Sequence, residues 1–529
     1  MSAPPRHAER ELLWLALASL AWLAATAWAR PLMLPDEGRY VGVAWEMLRS
    51  GSWLTPTLDG LPYFHKPPLF YWITAGALWI FGANEWAARA APLLGAWAAA
   101  MATYAFVQRW WSVQASRVSL VVLLAQPLFF IGGQFANLDM LVAGCITVTI
   151  LLLVHAVLCA EREQLHHWPL LGAYAAAAAG LLAKGLIGFV IPALVVAAWL
   201  LATRRWRGFR IVLWWPAILL FVMIAAPWFV SMHMRFPDFL HYFFVVQHFQ
   251  RFAADGFNNV QPFWFFVAVL LLFTLPWWPW LYRALRRGAA TKVRHVPRDT
   301  ALRTLMLIWV AVVLVFFSLP KSKLLGYVLP AMPPLAMLVA YGLLAAGSPS
   351  RKAERGWQAA TALGALVGLG AVIAIAVGGR HSTHELAETL GAQHAADEPV
   401  YMLGQYYFDV PFYARLPAPV AVVDDWSATA VRSRDNWRQE LADAAQFAPA
   451  RAASLLIAPA DLMPALCQQP VSWVVGPDDA VARFPFLAAA HVHFAHAGTR
   501  LWHIDRHLTD MADSALNCEG RPNAGPADR

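Results

Sequence analysis

The sequence predicts a polytopic α-helical membrane protein carrying a C-terminal α/β domain, and three observations predict it. Apolar residues make up 59% of the 529 residues and charged residues only 14%, with a mean hydropathy of +0.49; a soluble chain carries about a quarter charged residues. Eleven separate stretches approach or reach the ~20 apolar residues that cross a hydrocarbon core. Arginine and lysine collect in alternate loops between those stretches, the pattern that orients helices in a bilayer. The 27 Trp and 30 Phe suit wide interfacial belts.

The apolar stretches are 12–29, 87–107, 115–133, 138–159, 168–183, 185–203, 211–230, 263–282, 302–318, 325–346 and 357–378. The first is read as an uncleaved anchor, because the residues straight after it carry chemistry that needs a fixed depth. With the N-terminus in the cytoplasm, the cytoplasmic loops hold Arg109 and Arg117, then Arg162, then Arg204, Arg205, Arg207 and Arg210. The longest holds seven basic residues between Arg283 and Arg303, and the last holds Arg351, Lys352 and Arg355. The opposite loops are poor in basic residues. The net charge of +8 is therefore topological, and nucleic acid is excluded as a partner. A further apolar run, 68–82, is short for a span and is placed as a re-entrant or interfacial helix in the first external loop.

The expected domains are 1–378, a membrane domain whose first external loop is 30–86; 379–506, an α/β domain; and 507–529, a tail without fixed structure. The α/β assignment rests on β-rich runs at Pro399–Leu403, Val420–Val423, Leu455–Ala458 and Val471–Val475. Odd parity puts this domain outside the cytoplasm, where Cys467 and Cys518 make a candidate disulfide. Cys145 and Cys159 lie in apolar sequence and are packing residues.

The external loops hold the candidate chemistry. Asp36-Glu37-Gly38-Arg39-Tyr40 follows the first span: Asp36 is a natural N-cap, and Val41, Trp45 and Leu48 give a helix stripe ending at Gly51 and lying on the membrane. Asp36, Arg39 and Tyr40 are then neighbours on one face. An isolated Asp-Glu of this kind is ordinarily a cap with a surface ion pair, but ionisable groups at membrane depth are functional by default. In Tyr63-Phe64-His65-Lys66-Pro67-Pro68 the prolines aim Lys66 at the start of a helix, where an anion is favoured. The competing reading is a lysine that snorkels to the interface.

Asp139 stands at the external end of a span and needs a partner or a water-filled cavity; a structural pair with a basic residue competes evenly with a catalytic role. Lys184 sits in a tight external turn. Arg251 is a candidate phosphate contact, and His65 with His248 makes a weak candidate pair for a divalent metal, since two distant histidines seldom suffice. Lys321 and Lys323 occupy one small external loop against the orienting bias, as an anionic headgroup would explain. The carboxylates Asp36, Glu37 and Asp139, beside these cations, suit displacement at a sugar carbon with a lipid phosphate leaving.

In these stretches the chain resembles the polyprenyl-phosphate-dependent glycosyltransferases of the ArnT and protein O-mannosyltransferase type. The shared pattern runs in order through Asp36-Glu37-x-Arg39-Tyr40, Glu46-Met47-Leu48-x-Ser50-Gly51-x-Trp53, Tyr63-Phe64-x-Lys66-Pro67, Leu138-Asp139, Ala183-Lys184-Gly185, His241 to Phe252, and Lys321-x-Lys323-Leu324-x-x-Tyr327-x-Leu329-Pro330. The resemblance implies a GT-C-like fold with juxtamembrane helices in the first periplasmic loop, one pair of crossings more than the charge alternation counts, about thirteen, and a periplasmic C-terminal domain. It implies that Asp36 is the key carboxylate, that Lys66, Arg39 and Tyr327 surround the donor phosphate, and that Tyr63, Tyr40 and Asp139 complete the cavity. His65 departs from the Glu of the enterobacterial pattern. The implied partners are an undecaprenyl-phosphate-linked sugar as donor, lipid A or another cell-envelope acceptor, and membrane lipid, with the bacterial inner membrane as the location. No cofactor is assigned, and a divalent metal is the one candidate.

Two other classes compete. A lipid-linked sugar transporter or flippase would also want cations near headgroups, but neither an internal repeat nor a broken helix is evident in the sequence. A membrane sensor using the C-terminal domain leaves the Asp36 motif unexplained.

Overall fold

The structure is a computed structural model that describes residues 6–250, 259–286, 297–344, 350–378, 382–427, 431, 436–506 and 518. The chain divides into two compact units. One comprises Met1–Arg30 and Phe64–Gly379, the other Pro31–Tyr63 and Arg380–Arg529. The first external loop of the sequence reading, 30–86, is thereby divided between them.

The first unit is helical, and all eleven apolar stretches are helix over most of their length. Among the described residues six helices are long and apolar enough to cross a membrane, and eight if each of two bent pairs counts as one span. The bent pairs correct the expectation of unbroken spans. Val113–Ala125 meets Pro127–Gly133 at 69°, and Phe265–Phe273 meets Leu275–Arg286 at 68°. Proline causes the first break: Gln126, immediately before Pro127, is forced to an extended ψ of 121°. In the second, Pro276 lies in the short 3-10 turn Leu275–Trp277, where the ring removes a helical donor. The Leu69–Phe81 helix has 13 residues, a length of about 20 Å at 1.5 Å per residue, shorter than a bilayer core.

The second unit is built on a six-stranded sheet. In chain order the strands of the unit are β1 (Thr57–Leu58), β2 (Leu61–Pro62), β3 (Val400–Leu403), β4 (Ala421–Val423), β5 (Leu456–Ile457), β6 (Val471–Pro477), β7 (His491–His496) and β8 (Thr499–Asp505). β1 and β2 form a small hairpin, and the large sheet runs β5-β4-β3-β6-β8-β7. Its first four strands are parallel, and β8 and β7 are antiparallel additions. The four predicted runs are β3 to β6. Tyr401, Leu403, Val423, Val474, Trp502 and Ile504 face Leu462 and Leu466 in the core. Cys467 and Cys518 are bonded as a disulfide with Cα atoms 5.7 Å apart, which ties part of the expected tail to this core.

Pro31–Tyr63 joins this unit through buried apolar side chains and through buried, hydrogen-bonded carboxyls. The Asp36–Ser50 helix buries Val41, Val43, Ala44 and Met47, and Trp45 meets Phe412 edge-on at 5.9 Å. It is a core element of a folded unit, which differs from the amphipathic surface helix expected. Its buried Glu46 accepts from Thr57 Oγ1 at 2.8 Å and from the backbone N–H groups of Asp59 and Gly60. Asp59-Gly60 turns the hairpin with φ of 52° and 71°, the left-handed geometry of a two-residue loop. Asp59 Oδ1 in turn accepts the Val420 N–H at 2.9 Å.

Burial, and then the nearby Glu46 carboxylate, push the Asp59 carboxyl well above its ordinary range, and burial pushes Glu46 up as well. The native state therefore retains a proton that the unfolded chain releases above about pH 4, so stability falls as pH rises through that window. The expected result is a lower melting temperature at about pH 8 than at about pH 5. Asp59→Asn, tolerated at positive φ, reduces that difference in thermal melts of the whole protein; an unchanged difference counts against the buried carboxyl as its source.

Candidate active site

The candidate residues fall into two groups, one in each unit. In the second unit the helix begins at Asp36, with Pro35 in the cap position and no side-chain cap. Asp36 is thus a first-turn residue rather than the expected N-cap, and its carboxylate is used elsewhere. The Arg39 guanidinium donates to it three residues along the same face. The same guanidinium donates to Glu440 from the C-terminal domain. Tyr40 lies 5.0 Å and Phe408 5.9 Å from the Arg39 carbon. Burial alone would lower the Arg39 pKa, but Glu440, Tyr40, Tyr63 and Asp36 together raise it well above the ordinary value. Arg39 is a permanent cation.

Glu37 is fully buried and accepts the Met33 N–H at 2.9 Å, which ties the entry of the helix. Gly38 is required by packing: a Cβ would meet the Asp409 backbone nitrogen and the Phe408 Cβ at 3.0 Å. The Tyr63 hydroxyl stands 3.4 Å from Glu440 Oε2. Glu440 was missed in the sequence reading, because nothing local marks a helical Glu more than 400 residues away as the partner of Arg39.

In the first unit, Asp139 opens the Leu138–Ala160 helix, capped by Asn137, whose side-chain oxygen accepts the Asp139 N–H at 2.9 Å. Asp139 is paired with Lys184, the last residue of the His167–Lys184 helix. The Lys184 Nζ lies 4.7 Å from the centre of the Tyr327 ring. A Cβ on Gly326 would fall 2.2 Å from Asp139 Oδ2, so glycine there is what lets the carboxylate approach. Asp139, Lys184 and Tyr327 are thereby one cluster, and the pairing reading of Asp139 has a named partner.

Lys323 is buried and its Nζ donates to the Gln261 carbonyl at 3.0 Å. Its backbone N–H donates to Asn259, while Gln261 N–H donates to Lys321. Lys323 therefore holds the loop together, and Lys321 shares the same short β-like contact. Lys66 is half-buried three residues before the Leu69–Phe81 helix, which has Pro68 at its cap. His65 packs its ring 5.9 Å from Tyr242. The His248 side chain and Arg251 lie outside the described residues. Among the described residues no three His, Cys, Asp or Glu side chains are arranged to hold a metal ion.

Removing one member of the Asp139–Lys184 pair leaves the other charge uncompensated in a buried site. Lys184→Met is expected to cost about 3 kcal/mol. Adding Asp139→Asn to it should recover part of that loss, measured as a non-additive shift in a double-substitution cycle of thermal stability. Additive losses would mean that the pair does not couple.

Residues 17–243 match the family model described as dolichyl-phosphate-mannose-protein mannosyltransferase. The undecaprenyl phosphate-alpha-4-amino-4-deoxy-L-arabinose arabinosyl transferase of Erwinia tasmaniensis is 33% identical over 351 residues, covering 66% of this chain and 62% of its own length. The corresponding transferase 1 of Sodalis glossinidius is 37% identical over 352 residues, 64% of this chain and 61% of its own. The chain thus spans just over six-tenths of the length of these curated relatives. Among solved structures, ArnT from Cupriavidus metallidurans bound to undecaprenyl phosphate superposes with a TM-score of 0.77 at 23% identity, covering 93% of this chain and 97% of that one. Its apo form gives 0.76 at 22% identity, covering 94% and 98%. The chain therefore has the fold of ArnT, and over about six-tenths of their length its sequence is similar to the undecaprenyl phosphate-alpha-4-amino-4-deoxy-L-arabinose arabinosyl transferases.

Proposed function

We propose that the protein transfers a sugar, 4-amino-4-deoxy-L-arabinose in the reading its relatives favour, from undecaprenyl phosphate to a phosphate of lipid A, on the periplasmic side of a bacterial inner membrane. The observation that carries this reading is the position of the family match: residues 17–243 include Asp36, Arg39, Lys66, Asp139 and Lys184. The named relatives are arabinosyl transferases that use undecaprenyl phosphate.

The chemistry follows from the residue types. The bond between the sugar C1 and the donor phosphate oxygen breaks, and its electron pair stays on the phosphate. The acceptor oxygen forms the new bond to C1. Lys66, ahead of a helix start where an anion is favoured, is assigned to the departing phosphate, and Arg251 and Tyr327 to the same group. Developing charge on that oxygen is what fixed cations stabilise. A lipid A phosphate is already anionic and needs no base, so Asp36 orients or balances charge. With a hydroxyl acceptor, Asp36 is the base that receives its proton.

The periplasmic assignment has two supports. The basic loops lie on the opposite side by the charge alternation. The unit that contains Asp36 also contains the Cys467–Cys518 disulfide, a bond that persists in oxidising compartments.

A second reading, a protein or glycan O-glycosyltransferase, is favoured by one observation: the matching family model is named for protein mannosyltransferases. Transport of the lipid-linked sugar gains from the two bent helix pairs, but no internal repeat accompanies them.

Mass spectrometry of lipid A separates these readings. Cells carrying the gene should show lipid A with an added pentosamine mass, absent without the gene and reduced at least about a hundredfold by Asp36→Asn. Unmodified lipid A alongside newly glycosylated envelope protein or glycan would select the second reading. Full modification by Asp36→Asn would remove the role given to that carboxylate.

A further inference from the structure

The C-terminal edge of the parallel strands gathers charge that the proposed transfer does not use. The chain leaves β3 toward β4 but leaves β6 toward β8 and β7, so the two connections diverge at the boundary between β3 and β6. In open α/β sheets, ligands bind outside the carboxyl ends of the strands at such a reversal of direction. Gly404 turns the chain at the end of β3 with φ of 66°, and a Cβ there would meet nothing within 4 Å. The space over β3 is open.

Three charged side chains converge beside it. Asp424 directly follows β4, and its side chain is 3% exposed. Arg438, on the Trp437–Ala445 helix, brings Nε within 2.6 Å of Asp424 Oδ2. Arg483, on the Ala480–Arg483 helix, brings a terminal nitrogen within 3.9 Å of Oδ1. The first helix follows β4 and the second follows β6, the two strands that flank β3. The arginines thus reach one carboxylate from both sides of β3.

That carboxylate does not use them up. Asp424 Oδ1 already accepts the Asp425 N–H at 2.7 Å, and neither Oδ2 nor Arg438 Nε has a hydrogen-bond partner among the described residues. Two guanidiniums carry far more N–H donors than one carboxylate can accept, and the trio sums to one positive charge. The Arg438 and Arg483 side chains are 33% and 47% exposed, so both keep donors within reach of solvent. Of the other carboxylates at this edge, Asp478 is paired with Arg500 at 2.8 Å, and Asp425 Oδ1 accepts the Ser427 N–H and hydroxyl. Asp461 and Asp479 are exposed, where water and salt screen them.

Trp426 and Trp437, both partly buried, stand edge to face 5.9 Å apart at the same place. The Arg438 guanidinium carbon lies 5.5 Å from the Trp437 ring. A cationic corner with aromatic sides suits an oxyanion carried on a sugar ring: forked donors take the phosphate, and the C–H face of the ring packs on indole. The Trp437–Ala445 helix also carries Glu440, which pairs with Arg39 beside Asp36. Arg438 and Glu440 are two positions apart and so lie on nearly opposite faces of a helix about 10 Å wide. The crevice and the carboxylate proposed for transfer therefore flank one helix.

We propose that Arg438 and Arg483, braced by Asp424, form a second binding site that takes the phosphate of a phosphorylated saccharide, and that during transfer it holds an anionic group of the acceptor. The site itself stands on the crevice; its part in transfer rests on the proposed reaction with lipid A.

The test uses the full-length protein in lipid nanodiscs, with undecaprenyl phosphate present to fill the donor site. N-acetylglucosamine 1-phosphate, N-acetylglucosamine and inorganic phosphate are the probes in calorimetric titrations. The sugar phosphate should bind wild type about tenfold or more tighter than either of the others, and Arg483→Gln should weaken it about tenfold or more. Arg483→Lys, which keeps the charge without the fork, should fall between them. Arg483 is half-exposed, so Arg483→Gln should melt within about 2 °C of wild type. In turnover it should raise the lipid A KM about tenfold, while kcat and the KM for undecaprenyl-phosphate aminoarabinose stay within about twofold. A purely structural arginine would leave probe binding and lipid A KM unchanged, and that result overturns the proposal. Inorganic phosphate binding as tightly as the sugar phosphate overturns the saccharide assignment, and an unchanged lipid A KM beside lost probe binding overturns the acceptor role. If the wild type glycosylates no lipid A, the functional reading falls alone, and the Arg483 dependence of probe binding decides the site.

Discussion

Charge that is held out of water must be matched, and this requirement organises both units of the protein. A lone carboxylate or ammonium in a low-dielectric setting is costly, whereas a paired and hydrogen-bonded one persists. Lys184 answers Asp139 in the helical unit, and Arg39 answers both Asp36 and Glu440 in the other. Each match draws a helix end or a loop into register. Gly326 is bare because Asp139 comes so close to it, and Gly38 is bare because the Asp36 helix lies against Phe408 and Asp409.

The same requirement explains why Pro31–Tyr63 folds with the C-terminal residues although the chain reaches it straight from the first span. Glu46 and Asp59 are buried carboxyls: Glu46 accepts from the Thr57 hydroxyl and the Asp59 and Gly60 N–H groups, and Asp59 Oδ1 accepts the Val420 N–H. Such a network is stable only when its members are assembled together. The element that bears the Asp36 motif is thus a structural part of the domain that supplies Glu440. A carboxylate proposed for chemistry is carried by a rigid unit rather than by a free loop, which suits the precision that positioning demands.

Electrostatic economy also separates the cations by role. Lys184 and Arg39 are committed to carboxylates, and Lys323 to backbone carbonyls. Lys66 differs in its setting, at the approach to a helix start marked by Pro67 and Pro68. A spacing pattern in the sequence treats all of these as equivalent positive charges. The fold makes them different by what it places around each.

The sequence by itself determined the helical architecture of the membrane part and the existence of the α/β domain, and it marked the candidate positions for chemistry. Hydropathy and charge alternation are local and additive, so the apolar stretches are helices near the places read for them, and β3 to β6 coincide with the β-rich runs. β7 and β8 escaped because the polar-rich pattern of His491–His496 and Thr499–Asp505 carries a weak apolar signal. Only the tertiary structure decided that Asp36 leaves its cap for Arg39, that Lys184 is the partner of Asp139, and that Glu440 completes the trio. Those choices depend on which charges the fold brings within hydrogen-bond reach and away from water, and separations of 45 and 401 residues leave no trace in local periodicity.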